Sequence, residues 1–98
     1  MTFFISFTPE AKENLKELKQ SAHLEKRFKA VSKALKLLAD NPRHPGLQTH
    51  LYTSLCGLSG EKVFEAYAEQ NTPAAYRIFF YYGKARGEIV IFAITPHP

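Results

Sequence analysis

Two residues near the end of the chain have the side chains and settings to do chemistry, Arg77 and His97. Arg77 lies inside Tyr76-Arg77-Ile78-Phe79-Phe80-Tyr81-Tyr82, a run dense in β-formers. Strand alternation puts its side chain on the face that holds Phe79 and Tyr81. A buried cation needs a partner, so two readings stand side by side. Either Arg77 pairs with Glu65 or Glu69 on a neighbouring strand, or it is a fixed cation on an open sheet face, with a planar fork suited to phosphate. His97 is one residue from the C-terminus. In a frayed tail it has no role; docked beside Arg77 it would serve as an acid or base near neutral pH.

Other catalytic signatures are missing. There is no Gly-rich phosphate loop, no GxSxG and no HExxH. The four histidines, His23, His44, His50 and His97, match no metal-ligand spacing and read as surface residues. Cys56 is the only cysteine, which excludes an internal disulfide and a paired-cysteine zinc site. It reads as a small buried hydrophobe. No metal and no cofactor is expected.

These residues must be positioned by one domain spanning 1–98, since 98 residues leave no room for a second core. With 45% hydrophobic and 22% charged residues, composition excludes a disordered or collagen-like chain. No apolar run approaches the roughly 20 residues that span a bilayer. The opening Met1-Thr2-Phe3-Phe4-Ile5-Ser6-Phe7 lacks the basic start of a signal peptide. A cytoplasmic location without membrane contact is expected. Thirteen Lys and Arg against nine Asp and Glu give +4, a balance that attracts polyanions such as nucleic acid or an acidic protein segment. Eight of those thirteen cations fall between positions 12 and 36.

Periodicity gives the elements. Residues 2–7 alternate as a strand, with Phe3, Ile5 and Phe7 on one face. Thr8-Pro9-Glu10 starts a helix with a hydroxyl cap, a first-turn proline and an acid at the positive end of the dipole. Its apolar stripe is Ala11, Leu15 and Leu18. Ser21 is the expected cap of a second helix, striped by Leu24, Phe28, Val31, Leu35 and Leu38 and ended at Asn41 before Pro42. Residues 42–60 read as a loop with extended structure around 47–55. Strands follow at 62–69, 75–82 and 88–95, the last apolar on both faces and so central. The expectation is an α+β domain of order β-α-α-β-β-β, an antiparallel sheet with the helix hairpin on one face.

Several segments together resemble a known family. They are Asn41-Pro42-Arg43-His44-Pro45, Leu47-Gln48-Thr49-His50-Leu51, Tyr76-Arg77-Ile78-Phe79-Phe80 and Ile91-Phe92-Ala93-Ile94-Thr95-Pro96-His97-Pro98. With the element order, they resemble the RelE/ParE toxin superfamily across essentially the whole chain. The tail, a histidine plus one residue, is most similar to the YoeB-type branch. The resemblance implies a RelE-like fold and the toxin of a type II toxin-antitoxin system. It also implies metal-independent, ribosome-dependent mRNA endonuclease activity, with the 2′-hydroxyl attacking the adjacent phosphate. The implied partners are an acidic antitoxin, in a toxin-antitoxin hetero-oligomer, and the ribosome with its mRNA. Arg77 matches the family's strand arginine, which contacts the scissile phosphate, and His97 matches its penultimate histidine, a candidate general acid. Two positions depart from the branch: Pro45-Gly46 stands where its basic glutamate lies, and Pro98 where it ends in tyrosine. Glu65 is then the expected substitute base if it shares Arg77's face, with Glu69 and His50 behind it. The expected RNA contacts are Lys62, His50, Arg43, Lys84 and Arg86. The alternative is a non-catalytic protein of the same fold, either a gyrase-targeting toxin or an inactive relative. Apart from any resemblance, the strand Tyr76–Tyr82 is a possible stacking platform for RNA bases; against that, Tyr76, Ile78, Phe80 and Tyr82 are expected to face the helices.

Overall fold

The computed structural model describes residues 2–96. The order is β1 (Phe4–Phe7), α1 (Pro9–Gln20), α2 (Glu25–Asp40), β2 (His50–Cys56), β3 (Lys62–Tyr67), β4 (Tyr76–Tyr82) and β5 (Glu88–Pro96), with short 3-10 turns at Ala22–Leu24 and Pro45–Leu47. The five strands form one sheet in the order β1-β5-β4-β3-β2. Two helices on one face of this sheet make the expected α+β fold. Among the described residues no helix is long and apolar enough to cross a membrane.

Local chemistry starts the helices. Thr8 accepts the Ala11 N–H at 3.2 Å, and its hydroxyl donates to the Phe92 carbonyl at 3.2 Å. The cap of α1 is thereby tied to β5. Val31, Ala34 and Leu38 of α2 and Ala11 and Leu18 of α1 are buried against Ala66, Ile78, Phe80, Ile89, Ile91 and Ile94. Leu15, Leu24, Phe28 and Leu35 pack on this core from its margin. β5, apolar on both faces, is indeed interior, between β1 and β4.

Five expectations need correction. The sheet is mixed, because β1 pairs parallel with β5 through Phe4↔Glu88 to Phe7↔Ile91. The extended structure expected around 47–55 within the loop is a further strand of the sheet, β2, which pairs antiparallel with β3. Ser21 makes no side-chain cap to a helix; its hydroxyl donates to the Glu17 carbonyl at 2.9 Å, and a 3-10 turn intervenes before α2. Cys56 is exposed, since it closes an edge strand whose register breaks between Leu51 and Cys56. Tyr82, expected in the core, is 42% exposed at the strand end, resting against Phe3, Phe64 and Phe80.

Candidate functional site

Register decides which polar side chains meet. His50 pairs with Glu65, Glu65 with Phe79, and Tyr67 with Arg77. Cross-strand partners share a face, so these residues lie together on the face turned away from Ile78 and Phe80. Glu65 is 5% exposed and Arg77 9%. One Glu65 oxygen lies 2.8 Å from His50 Nε2, and the other 3.8 Å from Arg77 Nε. The second distance is an ion pair and not a hydrogen bond, and Nε has no hydrogen-bond partner among the described residues.

The rest of the Arg77 guanidinium is committed elsewhere. It lies 3.8 Å from the centroid of the Tyr67 ring. It donates to the carbonyls of Glu69 at 3.2 Å and Ala75 at 3.3 Å. Of the two sequence readings of Arg77, the ion pair is the one seen in this structure, with Glu65 as partner. The Glu69 side chain is engaged differently: its carboxylate accepts the Tyr76 N–H at 3.0 Å and lies 3.4 Å from Arg27. Arg27 was not singled out by sequence. It donates to the carbonyls of Ala74 at 2.6 Å and Pro73 at 3.1 Å, fixing the β3–β4 turn from α2. That turn supplies the carbonyls that hold Arg77, and Arg77 backs the Glu65–His50 pair.

His50 is the half-exposed end of this chain of contacts. Its Nδ1 lies 2.9 Å from the carbonyl of Gln48, a residue in left-handed geometry with φ 46°. Both ring nitrogens thus face acceptors, which fixes the orientation of the ring. Tyr67 meets the ring edge-on at 5.8 Å between centroids. Nothing in the sequence pattern flags Tyr67 or Gln48. His50 also lines a cleft of about 490 Å³ with Arg43, His44, Gln48 and Thr49, and no carboxylate is among its lining residues. A buried carboxylate holds one nitrogen of this half-exposed imidazole, and the other can take or give a proton once it leaves the Gln48 carbonyl.

The other expected residues are placed elsewhere. Lys62 lies at the far end of β3, since Phe64 pairs with Phe80. Lys84 and Arg86 are exposed in the turn after Tyr82. At about 3.3 Å per strand residue, that end is roughly 17 Å from Arg77. His97 lies outside the described residues. The outer face of the sheet carries an aromatic row: Tyr52 meets Phe79 at 5.0 Å, Phe79 meets Phe92 at 6.3 Å, and Phe92 meets Tyr81 at 6.1 Å. Burial first, then the charges of Glu61 and Glu88, push the Tyr81 phenol above its ordinary pKa of 10.0.

No protein-family model matches the chain, and no curated protein sequence matches it. Solved structures do. A YoeB dimer from Staphylococcus aureus superposes at TM-score 0.69 with 16% identity over 100% of both chains. A YoeB/ParE toxin from Agrobacterium tumefaciens gives 0.70 and 7% identity, over 96% of this chain and 98% of that one. A chain of an archaeal RelE-RelB complex from Pyrococcus horikoshii gives 0.65 and 14% identity, over 98% of this chain and 96% of that one. The chain has the α+β fold of the RelE/ParE-type toxins, in a YoeB-like form.

Proposed function

We propose that this chain is the toxin of a type II toxin-antitoxin pair and an endoribonuclease that cuts mRNA on the ribosome in the cytoplasm. One observation supports the enzymatic part most: the 2.8 Å contact that ties buried Glu65 to half-exposed His50 at the mouth of a cationic cleft. In the reaction the RNA 2′-hydroxyl attacks the adjacent phosphorus, a 2′,3′-cyclic phosphate forms, and the bond to the 5′-oxygen breaks. His50, its Nδ1 turned from the Gln48 carbonyl, takes the 2′-hydroxyl proton there while Glu65 holds the Nε2–H and balances the charge. The Gln48 carbonyl then accepts the new Nδ1–H. Arg77 acts through Glu65 as a positioning residue. His97 remains the candidate donor to the leaving 5′-oxygen. The route asks for no metal.

The partner follows from charge and kinship of fold. Lys12, Lys16, Lys19, Lys26, Lys29, Lys33 and Lys36 are all exposed on the helices, a surface for the ribosome's phosphates or an acidic antitoxin. The archaeal structure pairs its toxin fold with RelB. Expression of this chain alone should arrest growth, and a short acidic protein encoded beside it should relieve the arrest. Toeprinting should show cuts in ribosome-bound mRNA. His50→Gln and Glu65→Gln should each lower cleavage by about 100- to 10,000-fold. A folded His50→Gln protein that cleaves at the wild-type rate would remove the base. A second reading, a non-catalytic toxin with a protein target, is favoured by the burial of Arg77 and by Pro45-Gly46 in place of an acid. Growth arrest with mRNA intact would select it.

A further inference from the structure

We propose that the scissile phosphodiester is seated by Arg43 and His44 in the cleft that His50 lines, and that the seat is not Arg77. The inference rests on the endonuclease reading above and assigns the part of that site which binds phosphate.

His44 is held in a defined state. The Gly46 N–H donates to its Nδ1 at 3.0 Å. A nitrogen that accepts has no proton of its own, so the neutral ring carries its hydrogen on Nε2. The turn around it is fixed on both sides. Its own N–H donates to the Asn41 carbonyl at 2.9 Å, and its carbonyl accepts from Leu47 at 3.0 Å. The Gln70 amide donates to the Gly46 carbonyl at 2.9 Å, and the Thr49 hydroxyl to that of Pro42 at 2.7 Å. Gly46 leaves room for the ring: a Cβ there would stand 3.2 Å from His44 Nδ1 and 3.3 Å from Cε1. His44 is therefore held by a rigid turn, with Nδ1 committed to Gly46 and Nε2 left as the nitrogen that can donate.

Arg43 is its complement. It is exposed and has no ion-pair partner among the described residues. Its fork is free for bidentate contact with phosphate. Arg77 is in the opposite condition, stacked, paired and bonded to two carbonyls. To touch a phosphate it would have to leave all of these. In the cleft, the 2′-oxygen forms its bond to phosphorus as His50 takes the proton. The phosphorus–O5′ bond breaks, and its electron pair leaves on the 5′-oxygen. The charge that builds on the non-bridging oxygens meets the Arg43 fork and the His44 Nε2–H. Fixed donors aimed at such oxygens are worth about 100- to 1000-fold each.

The probe for binding is cytidine 3′-monophosphate, titrated into the purified chain while the histidine and arginine side-chain NMR signals are followed. Signals of Arg43, His44 and His50 should move together, and those of Arg77 should stay. On ribosomes, Arg43→Ala and His44→Phe should each cut about 100- to 1000-fold more slowly than wild type, with melting temperatures unchanged within a few degrees. His44→Gln offers an amide N–H in place of Nε2–H and should recover part of the rate. Gly46→Ala leaves every polar group present and should still slow cleavage, because it pushes the ring. If wild type cleaves while folded Arg43→Ala and His44→Phe cleave as fast, this seat is wrong and the endonuclease reading stands. Nucleotide shifts centred on Arg77 would overturn it in the same way. Wild-type protein that leaves mRNA intact would overturn the endonuclease reading, and the catalytic seat with it.

Discussion

Replacing Arg77 by alanine should destabilise the fold itself. The side chain is 11% exposed, lies over Tyr67 at 3.8 Å, and bonds two carbonyls. A largely desolvated cation–aromatic contact contributes about 2 kcal/mol, and a hydrogen bond to a charged group about 1.5–3 kcal/mol. These do not add in full, because the freed carbonyls of the turn regain water. What does not recover is Glu65, 5% exposed, which loses its cation. Removing one member of a buried pair costs about 3–5 kcal/mol, and that range is taken for the whole change. A small domain has about 5–15 kcal/mol to lose. At about 4–8 °C per kcal/mol the melting temperature should fall by roughly 12–40 °C. The assay is thermal unfolding followed by circular dichroism, with urea unfolding beside it. Arg77→Lys keeps the charge but loses the planar fork and should fall between the two. Adding Glu65→Gln to Arg77→Ala removes the orphaned carboxylate, so the double variant should be the more stable of the two. An Arg77→Ala protein that melts within a few degrees of wild type would refute this account of the cluster.

Two further outcomes are expected. Leu38 is fully buried at 0% exposure, so Leu38→Ala should cost about 2–5 kcal/mol in urea unfolding; an unchanged midpoint would mean α2 does not pack as described. Tyr81 holds its proton above pH 10.0 in the fold, so its contribution to stability is complete below pH 10 and is lost as pH rises through the raised value. Ultraviolet difference titration should therefore show one late-ionising phenol that Tyr81→Phe removes.

The helices were legible because their signals are local. Thr8-Pro9-Glu10 caps and starts α1, and apolar residues at spacings of three and four write the buried stripe of α2. The parallel pairing of β1 with β5 joins the two ends of the chain, and alternation within a strand carries no information about its partner. β2 was read only as extended structure within a loop for a related reason. It is an edge strand, exposed along most of its length, so no apolar-polar alternation marks it. Arg77 was legible in kind: a cation in mid-strand demands an anion on the next strand. Choosing Glu65 over Glu69 required the register, which also set His50, on the segment read only as extended structure in a loop, beside Glu65. The cleft itself was beyond reach, because the left-handed Gln48 and the turn Pro45–Leu47 aim His44 and His50.

Two groups of cations in this chain do different work. Arg27 and Arg77 are used inside the structure, one to fix the β3–β4 turn and the other to hold Glu65. The lysines of α1 and α2 stand in solvent, and where one of them pairs, as Lys29 with Glu25, both partners are more than 70% exposed, so the pair contributes little. The exposed lysines are carried by the helix layer, and the Glu65–His50 pair lies on the sheet face turned from it. None of the helix lysines is among the residues that line the cleft, so a polyanion that engages them is not held by the cleft itself. A ribosome offers both at once, a broad phosphate surface and a held mRNA strand, whereas a short free RNA offers only the second. On the endonuclease reading this separation accounts for dependence on the ribosome, and it sets a test by salt. Docking through exposed lysines weakens steeply as salt rises, while proton transfer between His50 and a seated RNA does not depend on those charges. Raising salt should increase the ribosome concentration needed for half-maximal cleavage and leave the rate at saturation nearly unchanged. A saturating rate that falls in step with affinity would place the lysines in the chemistry and remove the distinction.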